Sequence, residues 1–171
     1  ERSNKKNLIV PKLNLNLDKE FFGKKIIITG ASNGLGAIAC KFFAERDAKI
    51  AMLSRSKKTM EIIRNKMKNP KNHIVINVDL LKNNDVKKAF QKAKKFLKNV
   101  DIILHIAGGG FGLKESLIKN EDLKSLFQIN VGAAAEINRL AIKSKSKNIF
   151  LNLVHVGSIA STEAVASVGY N

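Results

Sequence analysis

Cysteine is nearly absent: Cys40 stands alone, so an intrachain disulfide is excluded and stability must come from a packed core. A single cysteine is compatible with a reducing cytoplasm, and a small buried residue on the first helix is its expected role rather than a nucleophile or ligand. Proline occurs only twice, and the chain shows no repeat, low-complexity tract or interdomain linker. No apolar run approaches the roughly 18–20 residues that span a bilayer, so no membrane partner is expected. The first ten residues, ERSNKKNLIV, lack the apolar core and small-residue cleavage site of a secretory signal. The chain starts at Glu1 rather than Met, which reads as a fragment boundary. Tyrosine occurs once, as Tyr170, one position from the end.

Acidic residues are also scarce, 14 against 31 Lys and Arg, giving a formal net charge of +17. Such an excess raises the question of a polyanion partner. Between Lys82 and Lys98 lie seven lysines, but Val86, Ala89, Phe90, Ala93, Leu97 and Val100 recur beneath them at helical spacing. That is the solvated face of an amphipathic helix. The surplus is mostly Lys rather than Arg and is scattered, so no nucleic-acid partner is expected.

What the chain does have is the profile of one soluble domain: 171 residues, 44% apolar and 26% charged. Residues 1–20 read as an N-terminal extension, with Leu13, Leu15 and Leu17 alternating with Asn14 and Asn16. From residue 21 to 171 short apolar runs alternate with helical patterns. KKIIITG reads as a buried strand, and Gly36 to Asp47 as a helix with Ile38, Phe42 and Phe43 on its buried face. AKIAML (48–53) is a second strand and SKKTMEIIRNKMKN a helix closed by Asn69 and Pro70. HIVINV (73–78), DIILHIA (101–107) and NIFLNLVHV (148–156) are further strands, and a long helix covers about 122–144. Strand–helix alternation predicts an α/β fold, a doubly wound parallel sheet of the Rossmann type covered on both faces.

TGASNGLG (29–36) joins the first strand to the first helix, the context in which a glycine turn signals a bound phosphate. Gly30 permits the tight turn, Gly34 lets backbone approach a pyrophosphate, and Gly36 lets the helix pack near the sheet. Free N–H groups at the helix start then hold the anion. Ser32, Asn33 and Leu35 belong to the same candidate loop.

The spacing Gly-x-x-x-Gly-x-Gly resembles the short-chain dehydrogenase/reductase family, whose turn reads Thr-Gly-x-x-x-Gly-x-Gly. The resemblance extends from about residue 21 to the end and recurs at five further places. Asp79 in NVDL, followed by Leu80, matches the family's adenine-contacting aspartate. Ala107-Gly108, followed by Gly109, match the end of its Asn-Asn-Ala-Gly motif. Asn130 in FQINVG matches the asparagine of the long helix, Ser158 the serine after the fifth strand, and Tyr170 the tyrosine of Tyr-x-x-x-Lys. The resemblance implies an oxidoreductase moving hydride between a nicotinamide nucleotide and a small carbonyl or secondary alcohol, and a complete protein that is a homodimer or homotetramer.

NAD-binding relatives place a carboxylate at the end of the second strand. Here Ser54 takes that position and Arg55 follows. A carboxylate would repel a 2′-phosphate, whereas a guanidinium can hold one, so NADP(H) is favoured over NAD(H). For catalysis the resemblance implies Tyr170 as the proton donor to a developing alkoxide, Ser158 holding the substrate oxygen, and Asn130 anchoring the long helix and a water relay. Ser161 competes for the serine role.

Three departures from the family stand out. The chain ends at Asn171, before the lysine that would follow Tyr170, which predicts weak cofactor binding and poor turnover by this piece. His105-Ile106 replace the two asparagines before Ala107. Ser158 and Tyr170 are twelve apart, one fewer than usual. His105 and His155 end strands expected to be neighbours; satisfied histidines are favoured over a metal or relay pair because no carboxylate or thiol accompanies them. Two other readings remain: a non-catalytic nucleotide-binding regulator on the same fold, which needs Gly34 and Arg55 but not Tyr170, and a polyanion binder, which needs only the lysines.

Overall fold

The β-branched run Lys25–Thr29 forms β1, whose isoleucines 26, 27 and 28 have no exposed surface. A strand this apolar on both faces requires cover on both faces. In a computed structural model, which describes residues 16–113, 117–147 and 150–158, it lies at the centre of a five-stranded sheet. Around it run β2 (Lys49–Ser54), β3 (His73–Asn77), β4 (Ile102–His105) and β5 (Asn152–His155), in the order β3-β2-β1-β4-β5. All four pairings are parallel, with Ile27 beside Ala51 and Ile103.

Helices α1 (Leu17–Phe21), α2 (Gly34–Glu45) and α3 (Lys57–Asn65) come with the first half of the sheet, and α4 (Asn83–Leu97), α5 (Asn120–Phe127) and α6 (Ala133–Ser144) with the second. Two cores result. Cys40, Phe43 and Met60 from α2 and α3 meet Ile26, Ile28, Ile50 and Met52 on one face. Val86, Phe90, Ala93 and Ile137 from α4 and α6 meet Ile27, Ala51, Leu53 and Ile103 on the other. The doubly wound parallel sheet expected from the alternation is therefore present.

Several local expectations need correction. On α2 the buried positions are Gly36, Ala39, Cys40, Phe43 and Ala44, while Ile38 and Phe42 face outward. Small residues occupy that face because the helix runs close to the sheet. Phe42 instead makes edge contacts with Phe21 and Phe43 and carries the Arg46 guanidinium 3.8 Å above its ring. The helix begins at Gly34, not Gly36, with Asn33 as its cap. The second helix stops at Asn65, and a 3₁₀ turn, Pro70–Asn72, leads into β3 after Asn69, which sits at φ +51°. The long helix is three pieces: α5 and α6 flank a π-helical turn, Gln128–Gly132. The fifth strand is shorter than expected, at Asn152–His155. Most of the proposed N-terminal extension lies outside the described residues.

Candidate functional site

At the carboxyl ends of β1, β2 and β4 the sheet opens into a cleft of about 470 Å³. Its near wall is the glycine turn. Gly30 has φ +70°, and a Cβ there would sit 2.9 Å from the Ala107 backbone nitrogen. A Cβ on Gly36 would press on the Gly30 carbonyl, with its carbon only 2.7 Å away, so α2 can start this close to β1 only without side chains. Asn33 caps α2, its Oδ1 accepting the Gly34 N–H at 2.8 Å. Gly34 has φ +47° and open space where a Cβ would stand. The turn thus presents bare backbone at a helix N-terminus, the arrangement that suits a phosphate group.

The far wall is the loop after β4, where Ala107, Gly108 and Gly109 line the cleft. Two side chains fix this loop. Thr29 Oγ1, buried at the end of β1, accepts the N–H groups of Ile106 and Ala107 at 3.1 and 3.2 Å. Asn130 brackets Gly109 from the π-turn: its Oδ1 accepts the Gly109 N–H at 2.9 Å, and its Nδ2 donates to the Gly109 carbonyl at 3.1 Å and to Leu126 at 3.0 Å. A Cβ on Gly108 would meet Asn130 Oδ1 at 2.6 Å, so the clamp needs glycine there. The π-turn is pinned in turn by Gln128, whose Nε2 donates to the Leu80 carbonyl at 3.0 Å and to Asn83 Oδ1 at 3.1 Å.

At the side end of the cleft, Ser32 Oγ and Ser54 Oγ share a hydrogen bond of 2.8 Å. Arg55 is exposed and lines the cleft; among the described lining residues it is the one charged side chain. Leu80 and Val78 line the cleft too, but Asp79 between them does not. Its Oδ1 accepts the Leu81 N–H at 3.1 Å and its Oδ2 pairs with Lys82 at 3.8 Å. Leu35 is exposed beyond the wall. Ser158 lies exposed in the segment after β5, outside the cleft lining, and Tyr170 and Ser161 fall outside the described residues.

Thr29, Phe111, Ile129 and Gln128 were not singled out from sequence. Thr29 ends the apolar run of β1 with a hydroxyl, which is its one local signal. Phe111, at φ +54° on the cleft rim, and Ile129 have no comparable mark.

His105 and His155 do end adjacent strands, with rings stacked 4.5 Å apart. Asn138 of α6 joins them, its Oδ1 at 2.8 Å from His105 Nε2 and its Nδ2 at 3.1 Å from His155 Nε2. Both are therefore hydrogen-bonded histidines. Burial pushes the His105 imidazole down to about 4, with Asn138 opposing the shift. Burial likewise pushes the Cys40 thiol up to about 12, which removes it as a nucleophile.

The model of the short chain dehydrogenase family matches residues 24–170. The chain belongs to this family. It is 26% identical over 136 residues to carbonyl reductase family member 4 of Xenopus laevis, covering 80% of this chain and 56% of that protein. It is 31% identical over 115 residues to a glucose 1-dehydrogenase of Gluconobacter oxydans, covering 65% of this chain and 42% of that one. The chain thus spans about half the length of these relatives. A Brucella melitensis 3-ketoacyl-(acyl-carrier-protein) reductase, solved with NADH, superposes with a TM-score of 0.76 at 23% identity, over 86% of this chain and 62% of that one. At that identity the superposition speaks to the fold. Short chain dehydrogenases as a class are oxidoreductases, which is the level of function the match supports.

Proposed function

We propose that the protein is an NADP(H)-dependent oxidoreductase that interconverts a small carbonyl compound and its alcohol. The observation that carries this reading is the cleft itself: bare backbone at the start of α2 faces a glycine loop held rigid by Thr29 and Asn130. Such a surface suits an elongated phosphate-bearing ligand. The chemistry a bound nicotinamide supplies is hydride transfer.

The protein's own residues divide the remaining work. Gly30, Ser32, Asn33, Gly34, Leu35 and Gly36 form or support the phosphate turn. Ala107, Gly108 and Gly109, together with Leu80 and the Asp79 turn, bound the rest of the ligand. For cofactor choice, Ser54 leaves no carboxylate at the end of β2, and the Arg55 guanidinium is available on the wall for a 2′-phosphate. Ser158 holds the substrate oxygen by hydrogen bonding. Tyr170 donates its phenolic proton to that oxygen as negative charge develops; a free phenol titrates near about 10, so neighbouring positive charge is needed for it to work near neutrality. Asn130 holds the loop after β4, and through it the ligand, in register.

The test is turnover of a panel of aldehydes and ketones with NADPH, followed at 340 nm, by the complete gene product and its Tyr170→Phe variant. Reduction by the wild type and its loss in the variant is expected. Undiminished turnover by Tyr170→Phe would remove the phenol from the mechanism, and nucleotide binding without turnover of any carbonyl would favour a regulatory nucleotide binder.

A further inference from the structure

A second concavity, about 750 Å³, lies away from the glycine cleft as a groove along the outer edge of β3. Among the described residues strand β3 ends the sheet, with β2 on one side only. Val78 N–H donates to the Ser54 carbonyl at 3.0 Å, so by the two-residue alternation of a parallel ladder Ile74 and Ile76 face β2. Val75 and Asn77 therefore turn their backbone N–H and C=O outward into the groove.

Its walls come from opposite faces of the sheet. Helix α3 packs with the Met60 core and contributes Lys57; α4 packs with the Phe90 core and contributes Lys92, Lys95 and Phe96. The groove thus joins an open row of backbone groups, an apolar floor and lysines on both sides. None of those three lysines has an acidic partner among the described residues.

We infer that this edge accepts an extended acidic segment of a partner protein, added to the sheet as a sixth strand beside β3. Successive side chains of an added strand point alternately to the two faces. Its carboxylates would thus reach Lys57 on one side and Lys92 and Lys95 on the other, while its backbone pairs with Val75 and Asn77. A small anionic molecule would satisfy the lysines and leave the strand edge unpaired. A second copy of this chain would bring its own large positive charge against them. Edge lysines also serve to discourage chance pairing, and an acidic strand is the kind they attract.

The test is fluorescence anisotropy with a labelled peptide, acetyl-VEEIVEEI-amide, which carries apolar and acidic residues on both faces. Its controls are the same peptide N-methylated at alternate amides and a lysine-for-glutamate version. The protein variants are Val75→Pro, which removes one outward N–H at an edge position that tolerates proline, and Lys92→Glu/Lys95→Glu, each checked for unchanged melting. Saturable binding, weakened at least tenfold by N-methylation and by Val75→Pro and abolished by charge reversal, is expected. Equal binding of the N-methylated peptide would reduce the site to bare charge attraction and overturn the proposal. So would failure of the unmodified peptide to saturate, or its displacement of a self-associated form of the chain.

Discussion

Replacing Thr29 with Val keeps the shape of the side chain and removes one oxygen. That oxygen accepts two backbone N–H groups, Ile106 at 3.1 Å and Ala107 at 3.2 Å, at a residue only 2% exposed. A buried donor left without an acceptor costs about 1–3 kcal/mol. Two donors share this acceptor, and Ala107 lines the cleft, where water can relieve part of the loss. The expected destabilisation is about 3 kcal/mol. For a domain of this size that lowers Tm by about 6–12 °C. Thr29→Ser is the control: it keeps the oxygen, forfeits a methyl and should cost only about 1 kcal/mol. Thermal unfolding by circular dichroism ranks the three proteins, and nucleotide titration reports whether the loop after β4 loses its shape. If Val proves as stable as Ser, the hydroxyl does not hold this loop.

Four further outcomes are expected. Gly36→Ala forces a methyl against the Gly30 backbone; it should lower Tm and weaken nucleotide binding together, as unfolding and titration experiments would report. Arg55→Glu should weaken NADPH by about 10–100-fold, the scale of one lost charge-assisted hydrogen bond, and leave NADH nearly unchanged; equal effects on both nucleotides would remove Arg55 from a 2′-phosphate role. His105 is held neutral by burial with its folded value near about 4, below the ordinary 6.5. The unfolded chain therefore binds the extra proton first, so stability is full above about pH 6.5 and falls as pH drops toward about 4, by at most about 3 kcal/mol; His105→Gln should flatten that limb in urea titrations. Cys40, with its thiol pushed up to about 12, should resist iodoacetamide until the protein is unfolded, as mass spectrometry would register.

The sheet was legible because KKIIIT and AKIAML are apolar on both faces, which only a covered parallel sheet accommodates. The glycine turn was legible because strand, turn and helix follow in order. On helix α2 hydrophobicity points to Ile38 and Phe42, whereas the close approach to β1 demands Gly36, Ala39 and Cys40. The π-turn at Gln128–Gly132 left no periodic signal, because its shape is set by Asn130 and Gln128 reaching distant backbone groups. The bond between Asn138 and two histidines is likewise a tertiary fact: nothing local links positions 105, 138 and 155.

That a nicotinamide nucleotide lies across the ends of β1, β2 and β4 is tested most directly by titrating the folded complete gene product with NADPH and following the reduced-nicotinamide fluorescence. Saturable binding, displaced by adenosine 2′,5′-bisphosphate, is the predicted result. A folded protein that saturates with neither NADPH nor NADH would contradict it.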